Sequence, residues 1–304
     1  MRIVSLLPSA TEMVCALGAA SELVAVSHEC DYPDEIRHLP ALTRARLQAP
    51  ASSAAIDRAV RSVLEDALSL YTVDHERLAA LEPDLILTQD LCQVCAVSLD
   101  DVKSALARMA GRDDVRILSL RPTRLSHVLG DLERVGAALG RQETATNVRA
   151  ALERRLAAVS ERASQASLRP RVASIEWLEP LMLGGTWMPD LIELAGGTAV
   201  GVSAGAPAPT LEPEQLAELE PAIVLFKPCG FSLERTLRER PLLERVLPPA
   251  VRASARAYVS DGNAYFNRSG PRLVESLEIL AACIHPELFA DFSAKHAASL
   301  QRLH

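Results

Sequence analysis

Two cysteines three residues apart form the most reactive constellation in the chain, in Gln89-Asp90-Leu91-Cys92-Gln93-Val94-Cys95. They follow the apolar run Leu85 to Thr88, so they stand at the end of an expected strand, where the site residues of an open α/β sheet lie. Zinc binding is one reading of this spacing, but zinc takes about four ligands. No second C-x-x-C or paired histidine is near, and only His28, Cys30 and Cys229 could join through the fold. Thiol–disulfide exchange is another reading, although the strand-to-helix context and flanks of a thioredoxin-like motif are missing. Inert, partly buried thiols are the third. The chain has no Ser/His/Asp motif, P-loop or G-x-G-x-x-G, which leaves hydrolase, kinase and dehydrogenase activities without support and points away from an enzyme.

Composition narrows the field further. With 304 residues, 49% hydrophobic and 23% charged, the chain is an ordinary globular protein, long enough that two domains are expected. A net charge of -7 and dispersed Lys and Arg exclude a nucleic-acid footprint. No apolar stretch approaches the roughly 18 to 20 residues of a membrane span. Met1 to Leu7 passes directly into Pro8, Ser9, Thr11 and Glu12 without the basic and apolar regions of a secretory leader. The expectation is therefore a cytoplasmic chain as written, with an extracytoplasmic one as the alternative if the start codon is mis-assigned. Six cysteines, Cys15, Cys30, Cys92, Cys95, Cys229 and Cys283, read as thiols of a reducing compartment rather than a disulfide framework.

The elements that must position these residues follow from periodicity. Arg2 to Leu7 reads as a buried strand, and Ser9 with Glu12 forms a capping box that opens a helix closed by Gly18. Leu23 to Ser27 and Leu85 to Thr88 are further strands, the latter fed by a helix over Asp74 to Leu81. Helices alternating with short apolar runs imply a parallel α/β sheet. An internal repeat makes the plan twofold. TVDHERLAALEPDLIL (Thr72 to Leu87) aligns without gaps to TLEPEQLAELEPAIVL (Thr210 to Leu225), identical at half the positions. RIVSL at Arg2 to Leu6 echoes RVASI at Arg171 to Ile175, and EMVCALG echoes DLIELAG at Asp190 to Gly196. Between the halves, Gln142 to about Ser164 carries one apolar stripe and predicts a helix about 35 Å long, enough to join two lobes at a nearly fixed separation. The reading is an α/β fold of two Rossmann-like lobes with parallel sheets joined by a single long α-helix: residues 1–140, a bridging helix over 141–167, and residues 168–304.

The strings SLLPSATEMVCALG, SHECDYP, LEPDLIL, GTWMPDLIELAGG and YFNRSGPRLVESLEIL, spread from end to end, resemble the cobalamin and iron-chelate substrate-binding proteins of ABC transporters, and within them most closely the cobalamin binders. The resemblance implies a helical-backbone receptor that holds its ligand between two lobes. It also implies roles for particular residues. Tyr32 matches an aromatic that packs on the corrin, a wide apolar ring gripped by a flat one. Where the cobalamin binder has a cleft tryptophan after the LEPDLIL-type strand, this chain has Gln89 and Asp90. Trp177 and Trp187, the only tryptophans, fall just beyond the first strand of the second half and are candidates to take over that grip. Asp261, Asn263, Tyr265 and Phe266 resemble the family segment at the ligand's edge, with the polar pair able to bond the corrin's amides or simply to turn the chain. Ser9 faces the expected cleft from a helix start, where capping is the competing role. Cys92 gains a further reading here, a soft thiolate facing the cobalt, shared with Cys95.

Glu76 and Glu214 occupy the same place in the two repeats and resemble knobs, one per lobe, that engage arginines of a permease. The expected function is therefore capture of a corrinoid, cobalamin or a precursor, for uptake or salvage, by a monomer that carries no catalytic cofactor and no resident metal. The alternatives are an iron-siderophore or haem receptor of the same fold, or a cytoplasmic corrinoid-processing protein using Cys92 and Cys95. Anionic siderophores want clustered Arg or Tyr, and only Arg44, Arg121 and Arg268 are scattered candidates.

Overall fold

Residues 1–45, 52–65, 71–90 and 114–303 are described by the computed structural model. The described residues up to Ala151 form one compact unit and those from Leu152 a second; Ser52–Ala54 and Thr123–Leu125 group with the second. Unit 1 begins with β1 (Ile3–Ser5) and α1 (Pro8–Ala16), followed by β2 (Leu23–Val26) and β3 (Thr43–Ala45). Next come α2 (Ser53–Glu65), β4 (Tyr71–Val73), α3 (His75–Ala80), β5 (Leu85–Gln89), β6 (Arg116–Leu120) and α4 (Leu125–Ala138). Its main sheet is parallel throughout, in the order β2-β1-β5-β6, and β3 pairs with β4 in a small antiparallel sheet. Val4, Leu6 and Ile86 pack with Ala25, Leu42, Val73 and Leu78 in one buried cluster. Ile3, Leu85 and Leu87, on the alternate positions, are buried as well, so the strands read as continuous apolar runs.

Helix α5 (Gln142–Ala163) contains the division between the units, which falls after Ala151. Unit 2 then carries β7 (Arg171–Trp177), β8 (Leu181–Leu183), α6 (Met188–Leu194), β9 (Thr198–Ala199), β10 (Thr210–Leu211), α7 (Pro213–Glu218) and β11 (Ile223–Phe226). It finishes with α8 (Leu233–Leu237), α9 (Arg240–Val246), α10 (Pro249–Ser254), β12 (Arg256–Ser260), α11 (Leu273–Ile284), α12 (Ala290–Lys295) and β13 (Leu300–Arg302). The central strands β7, β11 and β12 are parallel, as is β9. The sheet departs from the all-parallel expectation at its margins, where β8 pairs antiparallel with β7, β10 with β8 and β13 with β12. The edge strands β10 and β13 are only two and three residues long, which leaves little unpaired backbone to template another chain.

The repeat is structural as well as textual. Ile3 pairs with Leu85 and Leu85 with Arg116 in unit 1, while Val172 pairs with Ile223 and Ile223 with Arg256 in unit 2, so both sheets share one register at aligned positions. Each repeat ends its helix on a glutamate with positive φ, Glu82 and Glu220, both at 43°. The αL conformation turns the chain into the Pro that follows and out of the helix. Arg2 Nε donates to Leu81 O at 2.6 Å and Arg171 Nε to Leu219 O at 3.0 Å, so each first strand supplies the cation that caps its repeat helix. The correspondence continues past the aligned strings: Arg116 donates to Ala138 O, the last residue of α4, and Arg256 to Ile284 O, the last of α11.

One local expectation fails. The N-cap of α1 is Leu7, without a side-chain cap bond, and Pro8 stands in the first turn, so Ser9 and Glu12 do not form a capping box. Proline's fixed φ starts the helix two residues before the expected first turn. In unit 2 a capping box does form, between Glu212 and Gln215 at the head of α7.

Candidate ligand-binding site

In an open parallel α/β sheet the ligand end is the carboxyl end of the strands, and each unit presents its candidates there. In unit 1 the loop after β2, Ser27 to Pro33, is held from inside. Cys30 N donates to Ser27 O at 3.0 Å, Ser27 Oγ and Thr43 Oγ1 are 3.0 Å apart, and His28 Nδ1 lies 2.6 Å from the same threonine. Arg37 Nε donates to Asp31 O, and the Tyr32–Pro33 bond is cis. Out of this pinned loop stands Tyr32, 46% exposed, one of three large exposed hydrophobics among the described residues. Ser9 is buried in α1. Gln89 ends β5 half-buried, and Asp90 is exposed, its carboxylate 4.0 Å from Arg121 Nη1. Cys92 and Cys95 lie outside the described residues.

Unit 2 offers a different surface. Trp177 ends β7 half-buried, its ring edge-on to Phe231 at 5.4 Å between centroids and its Nε1 donating to Glu179 O. Arg235 lies over the other ring of this pair, 4.4 Å from the Phe231 centroid. Trp187 is buried, and its Nε1 donates to Phe266 O at 2.8 Å. Phe266 itself has φ 64° and no exposed area, and its N–H donates to Ser276 Oγ. The αL backbone turns that ring inward, so Phe266 is an interior anchor, and Trp187 braces it. Neither ring presents a face to a ligand, contrary to the expectation for both.

The segment after β12 is a braced turn. Asp261 Oδ1 accepts from Asn263 N at 3.0 Å and Ala264 N at 2.7 Å, and Asn263 Oδ1 accepts from Arg268 Nη2 at 3.1 Å. Tyr265 is half-buried, edge-on to His296 with Arg272 5.7 Å above its ring. Asp261 therefore spends one carboxylate oxygen on the turn, while Tyr265 keeps part of its ring outside.

Beneath this turn lies a polar group that sequence reasoning missed. Lys227, immediately after β11, has no exposed area, yet its Nζ donates to Glu176 Oε2 at 3.1 Å and Asn267 Oδ1 at 2.8 Å. Asn267 Nδ2 returns two bonds, to Lys227 O and Gly262 O, so the lysine and the turn are locked to each other. Room for the ammonium comes from Gly184, where a Cβ would stand 2.9 Å from it. The alignment held a signal: Lys227 takes the place of Gln89, a cation where the first repeat ends neutral.

Among the described residues no group of three or more His, Cys, Asp or Glu side chains converges on a metal-sized space. No described helix is long and apolar enough to cross a membrane. Glu76 and Glu214 are exposed in the first turns of α3 and α7.

A family model described as periplasmic binding protein matches residues 3–259. A vitamin B12-binding protein of Photorhabdus laumondii is 24% identical over 283 residues, 92% of this chain and 86% of its own. Among solved structures, a periplasmic haem-binding protein from Pseudomonas aeruginosa superposes with a TM-score of 0.68 at 22% identity, covering 94% of this chain and 92% of that one. The periplasmic vitamin B12 binding protein of Vibrio cholerae gives 0.64 at 20% identity, covering 93% and 96%. These neighbours share the two-lobe α/β fold. They also overturn the expectation of a cytoplasmic chain: a family of periplasmic binding proteins works outside the cytoplasm.

Proposed function

Because the chain belongs to the periplasmic binding protein family, whose members serve ABC-transporter permeases, we propose that it captures a corrinoid, cobalamin or a precursor, for uptake. The observation that carries the reading is Tyr32: a flat ring, 46% exposed, on a loop pinned through Ser27 and His28 to Thr43. A preorganised aromatic at the ligand end grips a broad macrocycle at little entropic cost. Trp177 and Tyr265 offer further ring surface in unit 2, and Gln89, Asp90 and Asn263 offer groups for the corrin's amides. The similarity to vitamin B12-binding relatives along most of the chain supports the same ligand.

A second reading, haem or an iron chelate, is favoured by the haem-binding structural neighbour. Those ligands are anionic and want cations at the strand ends. Arg121 faces Asp90 instead, and Arg268 is buried against Asn263. Glu76 and Glu214 are proposed as the permease contacts, each on an exposed first helical turn at the same repeat position. The test is quenching of tryptophan fluorescence by cyanocobalamin, cobinamide, haem and a ferric siderophore. Corrinoid quenching is expected in the wild type, and Trp177→Phe, which replaces a half-buried ring proposed to touch the ligand, should weaken the affinity read from the quenching curve. Binding of haem or siderophore with silence toward both corrinoids refutes the proposal.

A further inference from the structure

The correction of compartment changes what the cysteines of unit 1 can do. Thr11 and Cys15 lie four residues apart on α1, hence on one face. Helical Cβ atoms tilt toward the N-terminus, so the Cys15 side chain leans back toward Thr11. From the other side, Cys30 places its Sγ 3.1 Å from Thr11 Oγ1. Cys15 and Cys30, both thiols in this structure, therefore approach one buried hydroxyl from different elements. Burial pushes the Cys15 thiol up, to about 12, with the Glu35 and Glu12 carboxylates and, least of all, Cys30 adding to it.

We propose that Cys15 and Cys30 form a disulfide that fastens α1 to the loop carrying Tyr32. Disulfides form and persist outside the cytoplasm, where this family works. The oxidant is another disulfide, an extracytoplasmic dithiol oxidase or glutathione disulfide. One cysteine thiolate attacks a sulfur of that oxidant and expels its other sulfur as a thiolate. The second cysteine thiolate then attacks the protein-side sulfur of the mixed disulfide and expels the remaining half. Two electrons pass to the oxidant, and the two protons lost by the cysteines end on its two thiols. Because burial suppresses the Cys15 thiolate in the folded unit, the bond forms while the chain folds, when a thiol titrates near its ordinary value of about 8.5.

The closed loop of Cys15 to Cys30 restricts the unfolded chain and raises stability. It also limits the freedom of the Ser27 to Pro33 loop. The experiment uses the full chain, once refolded in a glutathione redox buffer and once produced directly in an oxidising host without refolding. Alkylation followed by peptide mapping without reductant should recover a Cys15–Cys30 cross-linked peptide from most molecules, lighter by two hydrogens than the dithiol. Reduction should lower the melting temperature by about 5 °C, and Cys15→Ser should show no such response at this pair. Full alkylation of Cys15 and Cys30 in both preparations, or linkage of either to Cys92 or Cys95, overturns the proposal. Mapping separates this result from the ligand reading, which it does not require.

Discussion

Glu278 on α11 should make the chain sensitive to acid in a defined window. Its carboxylate is nearly sealed from water and accepts hydrogen bonds from Arg155 Nη2 at 2.7 Å, Lys295 Nζ at 2.6 Å and His296 Nε2 at 2.8 Å. Burial, the largest single influence, pushes the carboxyl up. The three donors together outweigh it and hold the group at about 2, against an ordinary 4.5. A shift of about 2.5 units corresponds to about 3 kcal/mol of stability. The folded value lies below the unfolded one, so the increment is complete above pH 4.5 and lost as pH falls toward 2. About 2 kcal/mol of it should be gone by pH 3. Glu278→Gln keeps the shape and removes the charge. It should therefore be about 3 kcal/mol less stable than wild type at pH 7, with the gap narrowing by about 2 kcal/mol at pH 3. Urea unfolding followed by circular dichroism across that range measures both curves. A gap that stays constant from pH 7 to pH 3 refutes the reasoning.

Other substitutions test the packing around the ligand end of unit 2. Gly262→Ala places a Cβ 2.1 Å from Pro228 O and 2.6 Å from Lys227 C, backbone atoms that cannot step aside. A loss of about 3 kcal/mol or more is expected in the urea midpoint. Lys227→Met removes the ammonium while leaving Glu176, which keeps some contact with water, so a loss of about 1–3 kcal/mol should appear in thermal unfolding. Trp187→Phe breaks the bond to Phe266 O and leaves a void where the larger buried ring stood, so it should cost about 2–3 kcal/mol by the same assay, with ligand affinity unchanged.

The scaffold was legible where the chain repeats itself. Leu78 and Leu216, Leu85 and Ile223, Glu82 and Glu220 occupy matched positions in strand, helix and turn, because one periodicity served both halves. Strands of two or three residues such as β8, β9 and β10 are too short to show alternation, so the antiparallel margin of unit 2 left no trace. Lys227 escaped because its partners are 51 and 40 residues away in the chain, and lysine is ordinarily a surface residue. Phe266 misled because an aromatic beside a turn gives no sign of which way an αL backbone will point it. Tyr32 was singled out by the family resemblance alone, and the structure finds its ring exposed.

Isothermal titration of the purified chain with cyanocobalamin tests the central claim most directly. Saturable heat with one corrinoid bound per chain, weakened about tenfold by Tyr32→Ala, is the predicted result. No heat with cyanocobalamin or cobinamide, in protein whose melting curve shows it folded, would contradict it.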